Sequence, residues 1–161
     1  MIQRIQTVYL ALVLIFSFVG VVSTMGEWTF EGETVASFSN FTFSTFGAYS
    51  SYESWGPFCL GIFLILVMFL TLVSIMLFRK RMRQLRLTII STILLIGYVL
   101  CFALFFFKYD ATLAEVVVGQ IPEFHFSFLS VLPVFSIILN ILAIIAIRKD
   151  EALVRSLDRL R

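Results

Sequence analysis

His125 is the only histidine in the chain and stands two residues from Glu123, so proton transfer would be sought first at this pair. Residues two apart on a helix do not face each other, however, and no cysteine or second histidine is spaced to complete a metal site. Cys59 and Cys101 are the only cysteines; they form no C-x-x-C pair and lie inside apolar stretches, where a thiol packs as a small apolar group. The G-x-S-x-G, H-E-x-x-H and phosphate-cradling glycine patterns are all missing. An enzyme built on this chain would have to bring His125, Glu123 or Asp110 together with loop residues. The expectation is therefore no catalytic residue, no metal and no cofactor.

The remaining candidates are uncharged polar residues in apolar surroundings: Ser17, Thr71, Ser74, Thr92, Ser136 and Asn140. An ionisable group at membrane depth is costly and marks ion or proton pathways, and these stretches contain none. Asn140 carries the most information, because its amide can bond a neighbouring helix for about 0.6 to 2 kcal/mol and so fix register or hold a partner. With Pro133 read as a break one turn before Ser136, Asn140 is also the residue that a solute pathway would use. Gly97 and Cys101 form a small-x-x-x-small pair that lets helices approach closely.

Four uncharged segments position these residues: 7–25, 58–78, 87–107 and 126–147, of 19, 21, 21 and 22 residues. At about 1.5 Å per residue each spans roughly 28 to 33 Å, the thickness of a bilayer's hydrocarbon core. The second holds fifteen Leu, Ile, Phe or Val residues, which favour insertion by roughly 5 to 9 kcal/mol. Helix is the backbone that satisfies its own polar groups there. The first segment is too long for a signal-peptide h-region and lacks a small-residue cleavage site, so it reads as an uncleaved anchor. With 60% apolar and 14% charged residues, the 161-residue chain fits an all-α membrane bundle of four transmembrane helices, as a single domain.

Charge sets the orientation. Arg4, the segment 79–86 and the tail 148–161 together hold eleven basic and three acidic residues, a net of +8, whereas 26–57 and 108–125 carry a net of −6. Short basic segments stay cytoplasmic, which puts both ends and the 79–86 loop inside. The 26–57 loop lies outside, where Trp28–Val35 reads as two short strands around a Glu-Gly turn and Phe41-Thr42-Phe43 alternates again, a small β-hairpin cap. Trp28, Tyr52 and Trp55 are expected at headgroup level. Asn40-Phe41-Thr42 fits a glycosylation sequon, of use only in a eukaryotic secretory pathway. In the second outer loop, Ala111–Val118 suggests a short strand or helical turn, with Val116-Val117-Val118 available to pair with the first loop.

The tail places Leu153, Val154, Leu157 and Leu160 at helical spacing among bases, a short cytoplasmic amphipathic helix that would lie on anionic lipid or dock on a protein. Lipid or partner contact is therefore assigned to Arg79, Lys80, Arg81, Arg83, Arg86, Arg148, Lys149, Leu153, Arg155, Leu157, Arg159, Leu160 and Arg161. Asn140, Ser136 and Gly97 are assigned to intramembrane packing. The partners implied are membrane lipids, including anionic headgroups, and other membrane or cytoplasmic proteins, with no nucleic acid.

The opening Met1–Leu10 (MIQRIQTVYL) and the closing Arg148-Lys149-Asp150-Glu151 followed by Leu153–Arg161 (LVRSLDRLR) carry a resemblance over the whole chain. The sequence resembles an uncharacterised family of small four-span inner-membrane proteins of Bacteroidota, catalogued as a domain of unknown function. The resemblance implies a bacterial cytoplasmic membrane, which would make the Asn40 sequon irrelevant, and brings no activity or cofactor with it. The functional expectation is a non-enzymatic accessory or scaffold subunit; the alternative is a small transporter or channel for an apolar or weakly polar solute.

Overall fold

The computed structural model describes residues 2–46, 53–54, 56–78, 80–116 and 123–159. Four helices dominate: α1 (Ile2–Val22), α2 (Phe58–Met76), α3 (Arg81–Val116) and α4 (Leu132–Arg159). Each is long and apolar enough to cross a membrane. They pack as a ring, α1 on α2, α2 on α3, α3 on α4 and α4 back on α1. Outward-facing Ile15, Phe18, Phe69, Ile93, Leu100, Leu104 and Ile138 are exposed around the ring, while Leu10, Val13, Leu64, Val67, Leu95 and Ala143 fill its interior.

The helix limits differ from the uncharged segments in ways the local sequence explains. Thr24 and Met25 leave α1 for a strand, so only Ser23 separates helix from sheet. Nothing in Arg81–Arg86 or Lys108–Val116 breaks a helix, so α3 takes both in and reaches 36 residues, about 54 Å. The expected 79–86 loop is thus mostly helix. Likewise α4 runs without Gly or Pro from Val134 to Arg159, so the tail continues that helix and is no separate amphipathic segment. Pro133 is the second residue of α4, where its missing N–H costs no intrahelical bond, and it breaks nothing.

The loop cap is larger than a hairpin. β1 (Thr24–Phe30), β2 (Glu33–Ser39), β3 (Phe43–Thr45), β4 (Glu53–Ser54) and β5 (Glu123–Phe126) form one antiparallel sheet in the order β4-β3-β2-β1-β5. The Glu-Gly turn expected between the first two strands is present, with both central residues at positive φ, 51° for Glu31 and 85° for Gly32. That geometry matches the twist of the flanking strands and favours glycine at its second position. Phe41 and Thr42 fall in the β2–β3 turn, which Ser39 Oγ holds by accepting the Thr42 N–H at 3.0 Å. The strand that joins from the second loop is Glu123–Phe126; Ala111–Val116 is the end of α3, and 117–122 lies outside the described residues.

The last turns of α3 support the sheet. Trp28, Phe38 and Phe43 point down onto Phe102, Phe106 and Tyr109, with Trp28 stacked on Phe106 and Phe43 on Tyr109, centroids 6.1 and 4.1 Å apart. Trp28 Nε1 donates to Asp110 Oδ1 at 3.2 Å, and the indole is fully buried in the core between sheet and helices. Tyr52 and Trp55 lie outside the described residues.

Candidate functional site

The two ends of the ring differ in chemistry. The sheet occupies one end. At the other, α1 meets α4 where Gln6 Nε2 donates to Ala146 O at 3.0 Å, and α3 meets α4 where Arg81 Nη1 donates to Asp150 O at 3.1 Å. The start of α1, the α2–α3 connection and the last turns of α4 therefore share one end, which gathers segments separated by roughly seventy residues. Lys80, Arg83, Arg86, Arg148 and Lys149 are exposed there, as is Leu153. Arg79, Leu160 and Arg161 lie outside the described residues, as do the side chains of Arg155, Leu157 and Arg159; of those three only the helical backbone is placed.

Among the assigned bases whose side chains are described, Arg81 is the one drawn inward. Its Nη1 also lies 3.1 Å from Asp150 Oδ2, and the two side chains are 26% and 12% exposed. The Nη1 hydrogen bond goes to the Asp150 carbonyl, so the buried Oδ2 has the ionic contact but no hydrogen bond. Beside this pair lies a cavity of about 370 Å³, lined by Gln6, Thr7, Val8, Ala11, Phe78, Arg81, Gln84 and Asp150. Charged and amide groups share this lining with apolar side chains. Sequence reasoning missed Gln6, Gln84 and Asp150. Gln6 and Gln84 stand just outside uncharged segments, and Asp150 is the first acid beyond the fourth. That placement was the available signal.

A polar seam climbs from this cavity into the ring. Thr88 Oγ1 donates to Gln84 O at 2.9 Å and shares a 3.2 Å contact with Ser74 Oγ. Ser91 Oγ donates to Thr88 O, and Asn140 Nδ2 donates to Ser91 Oγ at 3.0 Å. Asn140 thus ties α4 to α3 within this chain, while its Oδ1 and Ser17 Oγ are buried without a hydrogen bond. Ser136 Oγ turns back to Leu132 O, as a helix hydroxyl commonly does. Gly97 has no close neighbour: a Cβ there would lie 3.7 Å from the Phe63 ring, ordinary contact. Among the helical glycines the tight approach is at Gly61, where a Cβ would stand 2.2 Å from the Phe41 ring; in the sheet Gly26 is nearly as close, 2.3 Å from the Phe124 ring.

Asn40 is fully buried where sheet and helices join. Its Nδ2 donates to Gly20 O, its Oδ1 accepts from Tyr98 O–H at 2.8 Å, and its carbonyl accepts from Gly61 N–H at 3.0 Å. One side chain and its backbone so bind three helices.

Glu123 and His125 lie on a strand, so they do share a face, and His125 pairs across from Glu27. All three are exposed. Asp110 bonds Trp28 under the sheet, on the opposite side, so it does not converge with His125. Among the described residues no three His, Cys, Asp or Glu side chains gather to hold a metal. Cys59 and Cys101 are both free thiols and line a second, almost wholly apolar hollow with Leu104, Phe105 and Lys108.

No curated protein is similar in sequence to this chain. Residues 2–160 match the family described as "Domain of unknown function (DUF4293)", and the chain belongs to that family.

Proposed function

We propose that this protein spans a bacterial cytoplasmic membrane four times, with both ends of the chain and the α2–α3 connection inside and the sheet outside. In that membrane it serves as a non-enzymatic accessory or scaffold subunit. The observation that carries the reading is the gathering of the basic segments at one end of a ring of apolar helices, opposite an acidic sheet. Basic segments resist export, so the shared end is the cytoplasmic one. The exposed apolar girdle supports embedding, since a soluble surface rarely carries such an area.

The unbroken α4 supports a protein partner over a lipid one for the tail. Helices kink sharply at Pro, Gly pairs or bulges, and α4 has none beyond Pro133. A continuous helix carries Leu153 and the bases after it away from the bilayer, where a cytoplasmic protein can reach them. Crosslinking through residues 148–161 in native membranes, followed by gentle extraction, should recover the chain with a defined partner. Recovery of a lone monomer would sink the scaffold reading.

A second reading is favoured by the unpaired Asn140 Oδ1 and Ser17 Oγ inside the ring: passage of an apolar or weakly polar solute along the seam. Loss of solute flux in Asn140→Leu, with normal insertion, would decide for it.

A further inference from the structure

We infer that the cavity beside Arg81 and Asp150 is a binding site for one phospholipid with a primary-ammonium headgroup, of the phosphoethanolamine type. Such a headgroup is a zwitterion: a phosphate joined by two carbons to an ammonium with three donors. The cavity offers the matching pair. Arg81 makes no hydrogen bond through Nη2 or Nε, which leaves donors for a phosphate in the fork geometry that guanidinium supplies. Arg81 also opens α3, whose first turn holds no acidic residue, so no side chain there opposes the positive end of the helix dipole. Asp150 is 8% exposed and its Oδ2 has no hydrogen bond, a buried acceptor that an ammonium donor satisfies.

The apolar part of the cavity lining points to a lipid as the source of that headgroup. Val8, Ala11 and Phe78 line it, and Val8 and Phe78 are 54% and 50% exposed, continuous with the girdle that faces acyl chains. The site also sits where the apolar run of every helix ends or begins: near Ile5 on α1, just past Met76 on α2, at Arg81 on α3 and short of Leu153 on α4. That level is the headgroup layer. A volume of about 370 Å³ lies within the range of about 300 to 1,000 Å³ usual for small-molecule sites. An anionic headgroup without an amine would meet Arg81 equally well but would leave Asp150 facing a second negative group. The other bases at this end, Lys80, Arg83, Arg86, Arg148 and Lys149, do not line the cavity.

The assignment rests on the membrane-spanning reading, which reporter fusions test separately. Reporters that fail to divide between the two sides of a membrane remove that reading, whereas a spanning topology with a lipid-blind cavity overturns only the site. The purified full chain in mild detergent is titrated with phosphatidylethanolamine, phosphatidylcholine or phosphatidylglycerol, and bound lipid is counted by native mass spectrometry. Separate arms add O-phosphoethanolamine or inorganic phosphate as competitors. Ethanolamine lipid should be retained about tenfold over choline lipid, whose nitrogen has no N–H, the factor expected for one charge-assisted hydrogen bond. Glycerol lipid should bind no better than choline lipid, and inorganic phosphate should not displace the ethanolamine lipid. Asp150→Asn should abolish the ethanolamine preference. Because that change also alters the contact to Arg81, Ala11→Phe serves as the second variant: it enlarges an apolar lining residue that takes no part in the ion pair and should abolish retention with helicity unchanged. Equal binding of ethanolamine and choline lipids, preference for the glycerol lipid, displacement by inorganic phosphate alone, or undiminished retention in folded Ala11→Phe would each overturn the assignment.

Discussion

Individual side chains divide into those that hold the fold and those free to meet something else, and Asn40 and Asn140 show the difference. Asn40 is bonded at both ends of its amide: removing its side chain as Asn40→Leu leaves the buried Gly20 carbonyl with only Ser23 Oγ, at 3.2 Å, and the buried Tyr98 hydroxyl with only the weak acceptor Met25 Sδ, at 3.5 Å. At about 1 to 2 kcal/mol for each buried hydrogen bond lost, the destabilisation should reach about 2 to 4 kcal/mol, and Tyr98→Phe should lose about half as much. Denaturant unfolding in detergent measures both, and an Asn40→Leu protein as stable as the parent would refute the linchpin role. Asn140 makes one bond and carries one orphan, so Asn140→Leu removes a favourable contact and a buried unpaired oxygen together. Its cost should stay near the low end of about 0.6 to 2 kcal/mol. Unfolding of the two variants side by side should rank Asn40→Leu as much the worse.

At the level of helices and strands, the uncharged segments were legible because insertion depends on summed apolarity, which survives any local detail. Their ends were not legible in the same way. Arg81, Arg83 and Arg86 look like a loop because they are charged, but charge does not end a helix, and nothing else there does. The β5 strand was sought at Val116–Val118 on β-branching, yet it lies at Glu123–Phe126, where Phe124 reaches Trp28 with centroids 4.4 Å apart. Strand choice followed that packing, since β-propensity is weak against context. The cavity was hidden for another reason: Gln6, Arg81 and Asp150 are far apart in sequence and only the ring of helices brings them together. Glycine spacing misled similarly, because Gly97 fits the small-residue pattern while the close approach belongs to Gly61. Gly97→Ala should therefore stabilise α3 by about 0.5 to 1 kcal/mol through helix propensity alone. Gly61→Ala should cost about 1 to 3 kcal/mol, because its Cβ meets the Phe41 ring. Thermal unfolding of the pair checks the contrast, and equal shifts would mean that Phe41 yields freely.

Across the whole molecule, one asymmetry organises the rest: bases at one end of the ring, acids and aromatics at the other. If export resistance sets orientation, a reporter active only in the cytoplasm should work after residue 161 and within the α2–α3 connection, while a periplasm-only reporter should work between β3 and β4. The α2–α3 connection offers the sharper test. Changing Lys80, Arg83 and Arg86 together to Gln removes three bases at the entrance to α3 but leaves the Arg81–Asp150 pair and every described buried contact in place. Stability in detergent should then be unchanged, because exposed charges contribute little to folding. Orientation should loosen, with part of the population showing the α2–α3 connection outside, since only Arg79 and Arg81 remain there to support Arg4 and the tail. With Cys59 and Cys101 changed to Ser, labelling of a cysteine introduced at the exposed Met82 with an impermeant thiol reagent reports that fraction in intact cells. Complete labelling at position 82 when Lys80, Arg83 and Arg86 are kept would reverse the map, placing the sheet and the cavity on the opposite sides of the membrane from those assigned.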